Sequence, residues 1–156
     1  MKNTLPDFIA YFRQLTTEHV ELADFVLGPT QRIIAGSRNE LSYPLLWLEL
    51  PSLGLLDKDS TTPTGQRHAA LVVLDSASIS DYADQDAKWA STEALALDVL
   101  SRMRHDYKAR KFVSFELDGI VLEAVATLTV AGEIGWRFEF KLGDFVPLKY
   151  DTTRWN

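Results

Sequence analysis

In GWRFEFKLGDF, residues 135–145, Trp136, Phe138, Phe140 and Leu142 fall on one parity, while Arg137, Glu139 and Lys141 fall on the other. Alternation of period two marks a strand with one dry and one wet face. Upstream, KFVSFEL at 111–117 and IVLEAVATLTV at 120–130 also read as strands, separated by Asp118-Gly119. That dipeptide predicts a type I′ hairpin, with positive φ at both central residues. The last third is therefore expected to form a three-strand antiparallel meander, with Glu116 and Glu123 as cross-strand neighbours beside the turn.

The pattern changes period elsewhere. In TLPDFIAYFRQLTTEH, Phe8, Phe12 and Leu15 recur at helical spacing. Thr4 can cap this helix, Pro6 fits its first turn, and Asp7 suits the N-terminal dipole. Its end is expected near Thr16–Thr17. VELADFVL fits a short strand, and GPTQRIIAGSRNE fits either a turn of helix entered through Gly28-Pro29 or an irregular loop. SYPLLWLELP, 42–51, is a strand bounded by prolines and apolar on both parities, which predicts cover on both faces. Residues 52–67 carry the polar run DKDSTTPTG without periodicity and are expected to form a long exposed loop. HAALVVLDS, 68–76, returns as a strand.

The longest element is a helix over about 80–109, with Ser80 as its N-cap. Aspartates 81, 84 and 86 crowd its start, and Arg102, Arg104, Lys108 and Arg110 its end, which matches the macrodipole. Trp89, Ala96, Val99, Leu100, Met103 and Tyr107 make its apolar face. Ala83, Ala87, Ala90 and Ala94 are expected to let it approach a sheet closely. Residues 143–156 read as a C-terminal tail with Tyr150 and Trp155 as aromatic anchors.

Composition narrows the function classes. At 156 residues, with 46% hydrophobic and 24% charged, the chain is expected to be one domain, 1–156, with a core that needs no staple. It has no cysteine, which excludes disulfides, thiolate nucleophiles and Cys-ligated zinc. The start MKNTLPDFIAYF lacks the layout of a signal peptide, and the longest apolar runs fall far short of a membrane span, so a cytoplasmic protein without membrane contact is expected. A net charge of −6 disfavours broad binding to nucleic acid.

Candidate chemistry is sparse. His19, His68 and His105 show no metal-ligand spacing, and neither a nucleophile elbow nor a phosphate loop occurs. Asp75, Asp81, Asp84 and Asp86 form an acidic cluster without the glycine and glutamate of a calcium loop, and helix N-terminal charge explains them. RMRHDYKARK, 102–111, suits a helix C-terminus as well as a phosphate backbone, and direct nucleic-acid contact is not expected. Glu116 and Glu123 match an exposed sheet face better than an acid–base pair.

Together these elements predict an α+β fold, an antiparallel or mixed sheet with one long helix across a face and a short N-terminal helix. Their order resembles that of the tail-terminator and tail-completion proteins of long-tailed phages and contractile injection systems. PDFIAYFRQL, YPLLWLELP, ALVVLDS, the long helix and FELDGIVLEAVATLTV–GWRFEFKL carry the resemblance, and residues 20–42 correspond to no family element. The resemblance implies a non-enzymatic homo-oligomer, commonly a hexameric ring, that caps a tail tube. Its partners would be tube or sheath proteins, with no catalytic residue and no cofactor. By analogy, ring or tube contacts belong to the 52–67 loop and the tail, through Asp57, Lys58, Asp59, Thr61, Arg67, Phe145, Tyr150 and Trp155. Two other readings compete: a ligand-binding or adaptor domain with a closed cavity lined by Trp47, Trp89, Phe115 or Phe138, and an enzyme using His68, Glu116 or Glu123.

Overall fold

The structure is a computed structural model that describes residues 3–36, 41–56, 62–126, 132–148 and 150–155, the side chains of 35 and 36 excepted. It is α+β, as the periodicities predict. Two 13-residue strands, β4 (Thr64–Ser76) and β7 (Glu133–Phe145), pair antiparallel along their whole length and form the centre of the sheet. On the free side of β4 lie β2 (Leu45–Leu48) and then β3 (Ser52–Leu56), both antiparallel to it. A further strand, β1 (Asp24–Leu27), runs parallel to β2 and makes the sheet mixed. A parallel pair needs a crossover, and α2 (Thr30–Gly36) supplies it. On the free side of β7 lie β5 (Ser114–Phe115) and β6 (Glu123–Ala126).

One face of the sheet carries the larger core. Leu71 and Val73 of β4, with Phe138, Phe140 and Leu142 of β7, meet α1 (Leu5–Glu18) and α3 (Tyr82–Lys108). Thr4 caps α1 by accepting from the Asp7 N–H, and Phe8, Phe12 and Leu15 are its buried stripe. Phe12 lies 5.5 Å from Phe140, ring centre to ring centre. The opposite face is divided. Its β1–β2 end is apolar, with Ile33 of α2 packed among Leu45, Trp47, Val72 and Leu74. Its other half is wet, as the parity of Arg137, Glu139 and Lys141 requires. The four residues of β2 are all buried, so the prediction of cover on both faces holds.

Several expectations are corrected. Residues 52–67 are not one exposed loop, because both ends of the segment are strand: β3 and the start of β4 pair as a hairpin, Ser52 opposite His68 and Leu56 opposite Thr64. Cross-strand pairing with a β7 partner already in place extends β4 through a polar sequence that lacks periodicity. Asp81, rather than Ser80, caps α3, accepting from the N–H groups of Ala83 and Asp84. Ala83, Ala87, Ala90 and Ala94 face solvent. The sheet-facing side is Thr92, Leu95, Ala96, Val99, Leu100, Met103 and Asp106, with Tyr107 at its margin, 39% exposed and stacked on Phe112. The tail is shorter than 143–156, since β7 continues to Phe145.

The meander is the main revision. β5 and β6 do not pair with each other; both pair with β7, at different ends. Residues 114–126 are thus one interrupted edge strand, and Glu116 and Glu123 are not cross-strand neighbours. At the turn, the Ile120 N–H donates to the Leu117 carbonyl (3.0 Å), and only Gly119 has positive φ, +83°. Asp118 keeps a negative φ, so this is not a type I′ turn, whose twist a hairpin needs.

Candidate functional site

The interrupted edge creates the most distinctive surface feature. Between the pairs Phe115–Leu142 and Glu123–Arg137, β7 retreats five positions while the edge chain takes eight. The surplus bows outward through the Leu117–Ile120 turn and leaves β7 residues 138–141 without a strand partner on that side among the described residues. The result is an open cleft of about 530 Å³, bounded by the bow and by the wet face of β3, β4 and β7. Glu49, Glu116, Asp118 and Glu139 line it as carboxylates, against Arg137 and Lys141 as cations.

Arg137 organises the cleft floor. Its guanidinium grips Glu49 in a fork, Nε to Oε1 at 2.7 Å and Nη2 to Oε2 at 3.2 Å. Nη2 also donates to Glu139 at 2.8 Å, and Nη1 lies 3.8 Å from Glu123. The hydrogen bond with Glu49 raises the Arg137 pKa above its ordinary value against the opposing effect of burial, and Glu139 adds to the rise. Such a planar fork suits Arg and would not be reproduced by Lys. Beside it, Ser52, His68 and Lys141 form one row across β3, β4 and β7.

A second ionic cluster sits beneath the C-terminal end of α3. Asp106 is fully buried and accepts from Arg102 Nε (3.0 Å) and Tyr11 Oη (3.1 Å), with Lys111 Nζ at 2.9 Å and His105 Nδ1 at 3.4 Å. Burial works to raise this carboxyl, but the bonds from Lys111, Arg102, His105 and Tyr11 outweigh it and hold it below the usual carboxylate range. Burial, with the Asp106 charge beside it, pushes the Tyr11 hydroxyl well up. These partners tie α1, α3 and the following turn together, so the cluster is a structural rivet.

The residues singled out from sequence divide sharply. Asp57, Lys58, Asp59 and Thr61 lie outside the described residues. Arg67 is no loop residue: it is on β4 and only 5% exposed. It donates to Asn3 Oδ1 (2.8 Å) and Asn3 O (3.1 Å) and covers the Phe8 ring at 5.3 Å, so it offers no surface for a partner. Phe145, Tyr150 and Trp155 are exposed, the last two stacked on each other at 6.4 Å. His68 and Glu116 both line the cleft, whereas Glu123 stands by Arg137. His19 and His105 lie elsewhere, beside Asp98 and Asp106.

The acidic cluster separates into individual tasks. Asp75 pairs with Lys88 (2.8 Å), Asp81 caps α3, and Asp84 accepts from the Ser78 N–H. Among the described residues, no three His, Asp or Glu side chains gather as a metal site. Trp47 and Phe138 pack into the two cores, and Trp89 meets Trp136 edge-on at 5.7 Å, so these rings fill space rather than line a closed cavity. Phe115 alone of the four borders the open cleft. Sequence reading missed Arg137 and Glu49 as partners. Arg137 stands on the wet parity of β7, its only local signal, whereas Glu49 follows a strand that is apolar on both parities and carries none. No protein-family model and no curated protein matches the chain. None of its described helices is long and apolar enough to cross a membrane.

Proposed function

We propose that the chain is a non-enzymatic assembly component of the tail-terminator kind, which closes into a ring of copies and caps a tail tube. The observation that carries this reading is β3. All five of its residues are exposed, Leu53, Leu55 and Leu56 by 38%, 55% and 47%, and among the described residues its one strand neighbour is β4. An exposed apolar edge strand is a template for pairing with another chain, and monomeric proteins blunt such edges with charge or proline. Leu50, Phe145 and Leu148 lie exposed in neighbouring segments and add apolar surface. The order of α1, β2, β4 and α3 also supports the family reading, although the terminal meander is replaced by two short strands on β7.

Light scattering and negative-stain imaging of the chain, alone and with tube protein, test the proposal. Rings are expected in at least one condition; monomer in both sinks it. The alternative, a ligand-binding or adaptor domain, draws on the polar cleft beside Arg137. A ligand there would shift the resonances of Glu49 and Arg137 without changing the oligomeric state.

A further inference from the structure

The cleft and the C-terminal segment are complementary. The cleft offers carboxylates at Glu116 and Asp118 that no described ion pair engages, and a stretch of β7 edge that no described strand pairs. Strand alternation fixes which backbone groups face that gap. The Gly143 carbonyl points to the edge side, where it accepts from the Val113 N–H, and the unbroken register of β7 on β4 then turns Glu139 the same way. An extended segment entering the cleft would meet main-chain groups as well as acidic side chains.

Residues 147–156 have the matching chemistry. The arm leaves the body after Val146, which is buried and donates to the Pro63 carbonyl. Beyond it, Tyr150 is 71% and Trp155 68% exposed, with their rings stacked on each other. Lys149 and Arg154 are the arm's cations, and among the described residues Arg154 pairs with Asp151 of the same turn. Thr152–Arg154 form a 3-10 turn capped by Asp151, which opens when the arm is exchanged, and Tyr, Thr and Trp then suit an added strand. Fully extended, ten residues reach about 35 Å, far enough to leave the parent molecule.

We infer that the arm of one copy enters the cleft of the next, adding a short strand beside Glu139 and setting Arg154 against Glu116 and Asp118. This deepens the ring reading and rests on it. The exchange is heterologous, arm to cleft, and repeats around a ring until the last arm fills the first cleft. Strand addition supplies the main-chain bonds, and the aromatic pair supplies the anchor.

Complementation between full-length variants tests the exchange. An arm variant carries Arg154→Glu and Trp155→Ala; a cleft variant carries Glu116→Lys and Asp118→Lys. All four positions are exposed, and circular dichroism checks that both variants fold. In sedimentation, each variant alone should self-associate at least about tenfold more weakly than the wild type, the arm variant through loss of its aromatic anchor and the cleft variant through like charges set against Arg154. An equal mixture should recover a one-to-one pair, since each supplies what the other lacks. Hydrogen exchange at the Glu139 amide should slow in the wild-type assembly and in the mixture, but in neither variant alone. Variants that assemble like the wild type would overturn the exchange and leave the ring reading standing. So would a mixture that fails to pair, or Glu139 protection that persists in a dilute monomer, which would mean that the arm docks on its own molecule. A wild type that stays monomeric even with tube protein would overturn both.

Discussion

Single residues carry most of the electrostatic detail. Asp106 is the clearest case, a buried carboxylate held by donors from two helices and a turn. Its folded pKa is below the unfolded one, so its contribution is complete above about pH 4 and fades as pH falls through the folded value. Asp106→Asn should lower stability at neutral pH by about 2–3 kcal/mol. It should also flatten the loss of stability below pH 4, as urea titrations at the two pH values would show. Arg110 is the one non-glycine residue described with positive φ, +60°. It ends α3 with the Arg110 N–H on the Tyr107 carbonyl and the Lys111 N–H on the Asp106 carbonyl, the pairing of a Schellman cap. Glycine suits that position better, and the Arg110 side chain is exposed. Arg110→Gly should therefore gain about 1 kcal/mol and raise Tm by about 2–4 °C, read by calorimetry.

At the scale of elements, β7 is the axis of the molecule, because β4, β5 and β6 all pair with it and α3 packs across it. Phe138 lies fully buried at its centre, so Phe138→Ala should cost about 3–5 kcal/mol in the denaturant midpoint. Gly135 shows a different constraint. A Cβ built there would fall on the carbonyl oxygen of Val73, its neighbour across the sheet. Gly135→Ala should thus destabilise by about 3 kcal/mol, although alanine is hardly larger, and circular dichroism melts would report it. Legibility at this scale followed locality. The Thr4 cap, the Phe8–Phe12–Leu15 stripe and the alternation of β7 are written within a few residues of each other. β5 and β6 looked like a hairpin because Asp118-Gly119 is a strong local signal. The choice between pairing with each other and pairing with β7 lay with residues 134–143.

The whole molecule presents an apolar edge at β3, a polar cleft running from β3 to the interrupted edge of β7, and an aromatic arm. Lysine at Leu53 and Leu55 should leave the melting temperature of the monomer within a few degrees of wild type, because both side chains are exposed. The same change should abolish assembly in light scattering if β3 is a contact between copies. Arg67 illustrates the limits of reading such surfaces from sequence. It follows a polar run and reads as loop, yet Asn3, 64 residues away, receives two of its hydrogen bonds and Phe8 lies beneath its charge. Burial lowers its pKa, an effect that no neighbour in sequence announces.

By itself, the sequence determined the α+β class, the inward parity of the strands, the cap of α1 and the apolar face of α3. Each rests on periodicity or capping, interactions that span one or two turns or a few strand residues. Only the tertiary structure decided that β5 and β6 share one edge of β7, that Arg67 is buried, and that Arg137 joins Glu49 across 88 positions. Those outcomes depend on which strands become neighbours, and strand pairing is settled by register and burial over the entire sheet, which no local stretch contains.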